Sequence, residues 1–196
     1  LIVAMSDLDE DRINDILMRS ILNKGFEETY TGVVFPFLRR VGIMWHTGSV
    51  DIGSEHFVSN IFRKRLILAI DTLTPPERPD SRKFIMYLPE GELHEMGLLF
   101  FTYMIRKEGH NVLYLGQSTP FNGLQDLVER WHPDFLVTGA LTSLPFGKPE
   151  DYLRRISTSF RDQTIFVGGV LAFHAGKISL KNVVPFDSFN SLKQHL

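Results

Sequence analysis

One short stretch of this 196-residue chain groups residues able to do chemistry: Pro89-Glu90-Gly91-Glu92-Leu93-His94-Glu95-Met96-Gly97. A neutral imidazole is a good ligand for mid-to-late first-row transition ions. A carboxylate two residues before it can accept the proton of the other ring nitrogen. That contact fixes the tautomer and makes the ligating nitrogen more basic. Glu92 is placed to serve His94 in this way. Gly97 removes a side chain where a bulky ligand would come close to the backbone. A second grouping lies upstream, where Trp45-His46 and Gly48 are followed by Glu55-His56. Taken alone, Trp45 ends an apolar stripe and reads as core packing. Glu55 and His56 fit either a polar pair facing a cavity or a solvated helix face. His110, His132, His174 and His195 are read as surface or loop histidines.

The elements that must position these residues fall into two halves with different periodicity. Up to about residue 75 the chain reads as helical. Asp9 to Lys24 carries Ile13, Ile16, Leu17 and Ile21 at helical spacing, with Gly25 as its stop. Phe26 to Trp45 continues the pattern, and Pro36 predicts a kink or two helices in series. A further helix is expected from Asp51 to Leu73. The proline-rich run from Thr74 to Pro79 is a stiff, polar connector. The expected organisation is a helical domain over 1–75, a linker over 76–82 and a second domain over 83–196.

In the second half short apolar strands alternate with helical stretches. Strands are expected at Lys83–Leu88, Asn111–Leu115, Asp134–Thr138, Thr164–Val167 and Val183–Val184. Helices are expected at His94–Glu108, Phe121–His132, Pro149–Phe160 and Ser188–Leu196. This alternation argues for an α/β fold, a flavodoxin- or Rossmann-like parallel sheet covered on both faces. Such sheets bind ligands beyond the carboxyl ends of their strands, where the winding reverses. The His94 loop follows the first strand, so it sits at that edge. Gly139-Ala140-Leu141 follows the third strand, with Thr142 and Ser143 beyond it, and Gly168-Gly169 follows the fourth.

These residues carry a resemblance. Glu92-x-His94-x-x-Gly97 resembles the D/E-x-H-x-x-G signature of cobalamin-binding domains. Gly168-Gly169 resembles that family's G-G pair, and Gly139 stands where its S-x-L element begins, with Leu141 at the leucine. The resemblance implies that His94 binds cobalt from below, displacing the cofactor's own base. It also implies that the released nucleotide tail enters a channel beside the sheet, passing Gly168 and Gly169. Trp45, Glu55 and His56 resemble the W-x(9)-E-H pattern of MerR-type, light- and cobalamin-responsive transcriptional regulators. In that family a four-helix bundle covers the upper face of the corrin. The resemblance implies adenosylcobalamin or methylcobalamin as cofactor, with Trp45, Glu55 and His56 around the upper ligand. It implies His46 as an upper ligand once light has broken the carbon–cobalt bond. It further implies a homodimer or tetramer, and DNA contact only through an amino-terminal helix-turn-helix upstream of Leu1.

Bulk properties restrict the alternatives. The formal net charge is −2, without the basic excess of a nucleic-acid-binding domain. There is no cysteine, which removes disulfides and thiolate ligands and is compatible with a cytoplasmic protein. No apolar run reaches the ~20 residues of a membrane span. A phosphorylated receiver would need an aspartate where Val137-Thr138-Gly139 stands. A flavin-phosphate site would need a Ser/Thr/Gly-rich loop in place of Pro89–His94. The expectation is a non-enzymatic sensor domain. A corrinoid carrier subunit of a methyltransferase or mutase is the alternative.

Overall fold

The structure is a computed structural model that describes residues 1–74, 77–142 and 147–195, the His46 side chain excepted. It divides into two compact units, Leu1–Ala69 and Ile70–Leu196.

The first unit is helical. A short α1 (Ile2–Ser6) leads to α2 (Glu10–Lys24), whose Asp9 cap accepts the Arg12 N–H. Gly25 ends it at φ +87°, a conformation glycine adopts without strain. The chain then runs through α3 (Phe26–Thr29), a π-helical turn (Tyr30–Val34) and α4 (Phe35–His46). The interruption predicted at Pro36 therefore falls one turn earlier. Pro36 has no N–H for the preceding turn, and the Phe35 N–H bonds five residues back to the Tyr30 carbonyl. The last helix, α5 (Ile52–Asp71), packs Val58, Ile61, Phe62 and Leu66 into the core with Ile13, Leu17 and Tyr30. The Tyr30 hydroxyl donates to the Phe62 carbonyl at 2.9 Å, so this buried phenol is not left unpaired. Arg65 reaches Asn14 with two hydrogen bonds, tying α5 to α2.

The second unit is a five-stranded, all-parallel sheet in the order β2-β1-β3-β4-β5. The strands are β1 (Lys83–Pro89), β2 (Asn111–Thr119), β3 (Phe135–Ala140), β4 (Thr164–Gly168) and β5 (Val183–Pro185). They alternate with α6 (Met96–Lys107), α7 (Phe121–Trp131), α8 (Pro149–Ser159), α9 (Gly169–Ala175) and α10 (Phe189–Lys193). The α/β class and the parallel sheet match the expectation. Successive side chains of a strand point to opposite faces. Phe84, Met86 and Leu88 thus join Val137 and Phe166 in one core, while Ile85 and Tyr87 join Leu136, Ile165 and Val167 in the other. Burial of both faces explains the near-continuous apolar runs of β1, β3 and β4.

The chain leaves β1 for β2 on one side and returns to β3 on the other. The winding therefore reverses between β1 and β3, and their carboxyl ends define the crevice where ligands bind in such sheets. Three differences from the sequence reading bear on the site. β2 extends to Thr119 through a bulge rather than ending at Leu115. α9 was not foreseen. α6 begins at Met96, so His94 lies in the loop before the helix and not within it.

Candidate functional site

Glu92 organises the crevice. It is buried, at 2% exposure, directly after β1. Its Oε1 accepts the His94 backbone N–H at 2.9 Å and faces His94 Nδ1 at 2.6 Å. Its Oε2 accepts the backbone N–H groups of Leu141 at 2.8 Å and Thr142 at 3.2 Å, and the Thr142 hydroxyl at 3.3 Å. One carboxylate thus joins the loops after β1 and β3 across the switch point. Burial pushes its pKa upward. The His94 ring, the His94 N–H and the Thr142 and Leu141 N–H groups outweigh that effect and bring it down to about 2. Glu92 is therefore an anion at neutral pH.

The His94 side chain is 53% exposed, so the ring projects from the crevice rather than into the interior. In the neutral ring, an anionic carboxylate facing Nδ1 favours the proton on that nitrogen. Nε2 is then the lone-pair nitrogen, the form a metal requires. Among the described residues no three His, Asp or Glu groups converge on a point that could hold a metal ion. A single imidazole does not hold a bare ion, but it suits a metal whose equatorial positions a macrocycle already fills. In this respect the donor set fits cobalamin.

The remaining sheet residues gather beside this loop. Gly139 pairs with Gly168, and Ala140 bridges to Gly169, at the ends of β3 and β4. The steric demand differs among these glycines. A Cβ at Gly139 would lie 3.3 Å from the Gly168 carbonyl oxygen, and one at Gly168 would lie 3.4 Å from the Phe186 ring. Gly169 has φ +61° and would press a Cβ onto the Ala140 carbonyl. At position 139, where the resembling family has serine, an added Cβ would crowd the Gly168 carbonyl only slightly. The Leu141 side chain is exposed, and its N–H serves Glu92. Thr142 supplies a hydroxyl to the carboxylate. Ser143 lies outside the described residues. At Gly97 an added Cβ would meet nothing within 4 Å, so this glycine leaves open space on α6. On the α7 and α8 side of β1, a cleft of about 290 Å³ is lined by Tyr87, Pro89, Phe121, Tyr152 and Arg155, among others.

In the helical unit, Trp45 is 44% exposed near the end of α4 and is not a core residue, contrary to its default reading. Glu55 and His56 form a pair in α5, with Nδ1–Oε2 at 2.6 Å and the histidine side chain 64% exposed. The Glu55 side chain is 29% exposed, so the pair lies on a partly exposed stretch of α5. Backbone position 46 closes α4, and its side chain lies outside the described residues.

His110, read as a surface or loop histidine, is a buried loop residue. It is 6% exposed, accepts the Arg82 N–H on Nδ1 and packs against Phe84. Burial lowers its pKa. His174 pairs with Glu150 at 2.6 Å. Sequence reasoning gave no role to Glu95, which is 5% exposed and accepts the Tyr114 hydroxyl at 2.6 Å. A charged residue within the apolar surroundings of α6 and β2 was the available signal.

Comparison with known proteins bears on the same ligand class. Residues 1–69 match the family model described as B12 binding domain. The chain is 30% identical over 173 residues to the HTH-type transcriptional repressor CarH of Myxococcus xanthus, covering 88% of this chain and 57% of that protein. It is 28% identical over 170 residues to the repressor CarA of the same organism, covering 85% of this chain and 56% of that protein. The chain thus spans somewhat over half the length of these relatives. In fold it is similar to the monomethylamine corrinoid protein of Methanosarcina barkeri, with a TM-score of 0.75 at 13% identity over 98% of this chain and 93% of that one.

Proposed function

We propose that the chain is the cobalamin-binding sensor region of a transcriptional regulator, with His94 as the lower axial ligand of cobalt. The observation that carries this reading is the contact of buried Glu92 with His94 Nδ1 at 2.6 Å, at the switch point of a parallel sheet. When bound, adenosylcobalamin or methylcobalamin supplies a carbon–cobalt bond whose loss is the signal. The protein's own residues ligate, bury and report. Glu92 holds the His94 tautomer. Gly97 leaves room for the corrin to approach α6. Gly139, Leu141, Gly168 and Gly169 form the sheet edge past which the nucleotide tail would run. By the family resemblance Trp45, Glu55 and His56 would surround the upper ligand, and His46 would serve in its place once the alkyl group had gone. The similarity to CarH and CarA supports a repressor in which DNA is read by a helix-turn-helix region outside this sequence. A cytoplasmic homo-oligomer without catalytic turnover completes the proposal. No helix among the described residues is long and apolar enough to cross a membrane. The corrinoid-carrier alternative shares the fold, but fold likeness alone does not assign methyl transfer.

The state of the cofactor would bias subunit association, and through it the affinity for DNA. The test is to reconstitute the chain with adenosylcobalamin in the dark and compare absorption spectra and size-exclusion profiles before and after illumination. A changed spectrum with a changed oligomer size supports a light-read sensor. An unchanged spectrum and size refutes it. Methyl transfer with a candidate partner enzyme would establish the carrier reading instead.

A further inference from the structure

The loop that carries His94 is held from β2 as well as from β3. At its carboxyl end β2 leaves regular pairing. Met86 pairs with Tyr114, yet Tyr87 pairs with Gly116, so Leu115 is the extra residue of a bulge. Gly116 at φ +76° and Ser118 at φ +47° turn the strand end toward the loop. Four hydrogen bonds then join the two segments. The Tyr114 hydroxyl donates to Glu95 Oε2 at 2.6 Å, and Gln117 Nε2 donates to the Leu93 carbonyl at 2.7 Å. The Ser118 N–H donates to the Glu92 carbonyl at 3.1 Å, and the Gly91 N–H donates to Ser118 Oγ at 3.0 Å.

Two details show that the fold is shaped around this contact. Glu95 is nearly fully buried and directly follows His94, and a buried carboxyl must be hydrogen-bonded. A Cβ at Gly116 would lie 3.3 Å from the Tyr114 ring and 3.5 Å from Glu95 Oε2. Glycine there leaves both partners in their seats. The stretch between Glu92 and Glu95 has no helical or strand bonding of its own. Its order comes from the Glu92 network on one side and from the bulge on the other.

We infer that the bulged end of β2 is a positioning brace for the cobalt ligand, with Tyr114 acting through Glu95 and with Gln117 and Ser118 beside it. The inference rests on the reading of His94 as that ligand. The brace orders the loop before the cofactor arrives, so little ordering remains to be done on binding. Partners that orient a metal ligand typically change metal affinity 10–100-fold when removed.

The test compares Tyr114→Phe with Tyr152→Phe in the full chain. Each removes a phenol hydroxyl from the same unit, the second one pointing at Tyr87 Oη, 3.3 Å away. Adenosylcobalamin is titrated in the dark by absorption, and the His94 imidazole nitrogens are observed by NMR without cofactor. Tyr114→Phe is expected to bind about tenfold more weakly, with a smaller histidine-ligated fraction. Its ligand-free His94 nitrogens move toward values averaged over both tautomers, while Tyr152→Phe leaves all of these readings as in the unmodified chain. Equal losses in both variants would reduce Tyr114 to ordinary structural support and overturn the inference. Wild-type affinity, spectrum and nitrogen shifts in Tyr114→Phe would do the same. Identical titrations of wild type and His94→Ala would sink the ligand reading instead, and the ligand-free nitrogen shifts would still judge the brace.

Discussion

Replacing Glu92 by glutamine tests the crevice without changing its volume. The carboxylate accepts from the His94 N–H and ring through one oxygen, and from Leu141 and Thr142 through the other. A glutamine keeps one acceptor and turns the other into an NH₂ group. That NH₂ must face either the His94 ring or the paired N–H groups of Leu141 and Thr142, so donors meet donors. The size of the loss follows from the carboxyl's own equilibrium. A group moved from 4.5 to about 2 by folding contributes about 3 kcal/mol of stability as the anion. For a unit of this size about 3 kcal/mol corresponds to roughly 10 °C in Tm. Cobalamin affinity is expected to fall about 10–100-fold as His94 loses its fixed tautomer. Thermal unfolding followed by circular dichroism, with absorption titration of adenosylcobalamin, reads both quantities. A Tm within about 2 °C of wild type and unchanged affinity would refute the claim that Glu92 holds the crevice together.

Further outcomes follow from the same geometry. Because folding depresses the Glu92 pKa, its contribution is complete above the unfolded value of about 4.5 and is lost as pH falls toward about 2. Acid titration of the second unit should therefore show a loss of stability in that window, and the Glu92→Gln variant should show less of it. Equal acid sensitivity in both proteins would contradict this. Gly169→Ala is expected to destabilise the chain by about 2 kcal/mol or more, since φ is +61° and the new methyl meets the Ala140 carbonyl. Gly97→Ala should leave Tm unchanged or slightly raised, as its Cβ enters open space on a helix, but should weaken cobalamin binding. A destabilised Gly97→Ala, or a stable one that binds as wild type, would remove the cofactor-approach reason for that glycine.

The sheet was legible because β1, β3 and β4 are short apolar runs bounded by turn residues, a pattern that double-sided burial imposes. The carboxyl end of β2 was not. Gly116-Gln117-Ser118 has loop composition, yet the chain continues through a bulge that no local pattern announces. α9 is only seven residues long and starts on the Gly168-Gly169 pair, which reads as a break. The Glu92–His94 contact spans two residues and could be read from spacing. The other half of the Glu92 network could not, because Leu141 lies 49 residues away and contributes a backbone N–H. For Trp45 the local pattern taken alone also fell short. Its place on an apolar stripe indicates core packing, whereas its 44% exposure depends on where α4 ends.

The most direct test of the cobalt ligand is an absorption titration of wild type and His94→Ala with adenosylcobalamin in the dark. The account requires the wild-type protein to give the spectrum of histidine-ligated, base-off cobalamin, and His94→Ala to lose that spectrum and bind at least tenfold more weakly. Superimposable titration curves from the two proteins would contradict it.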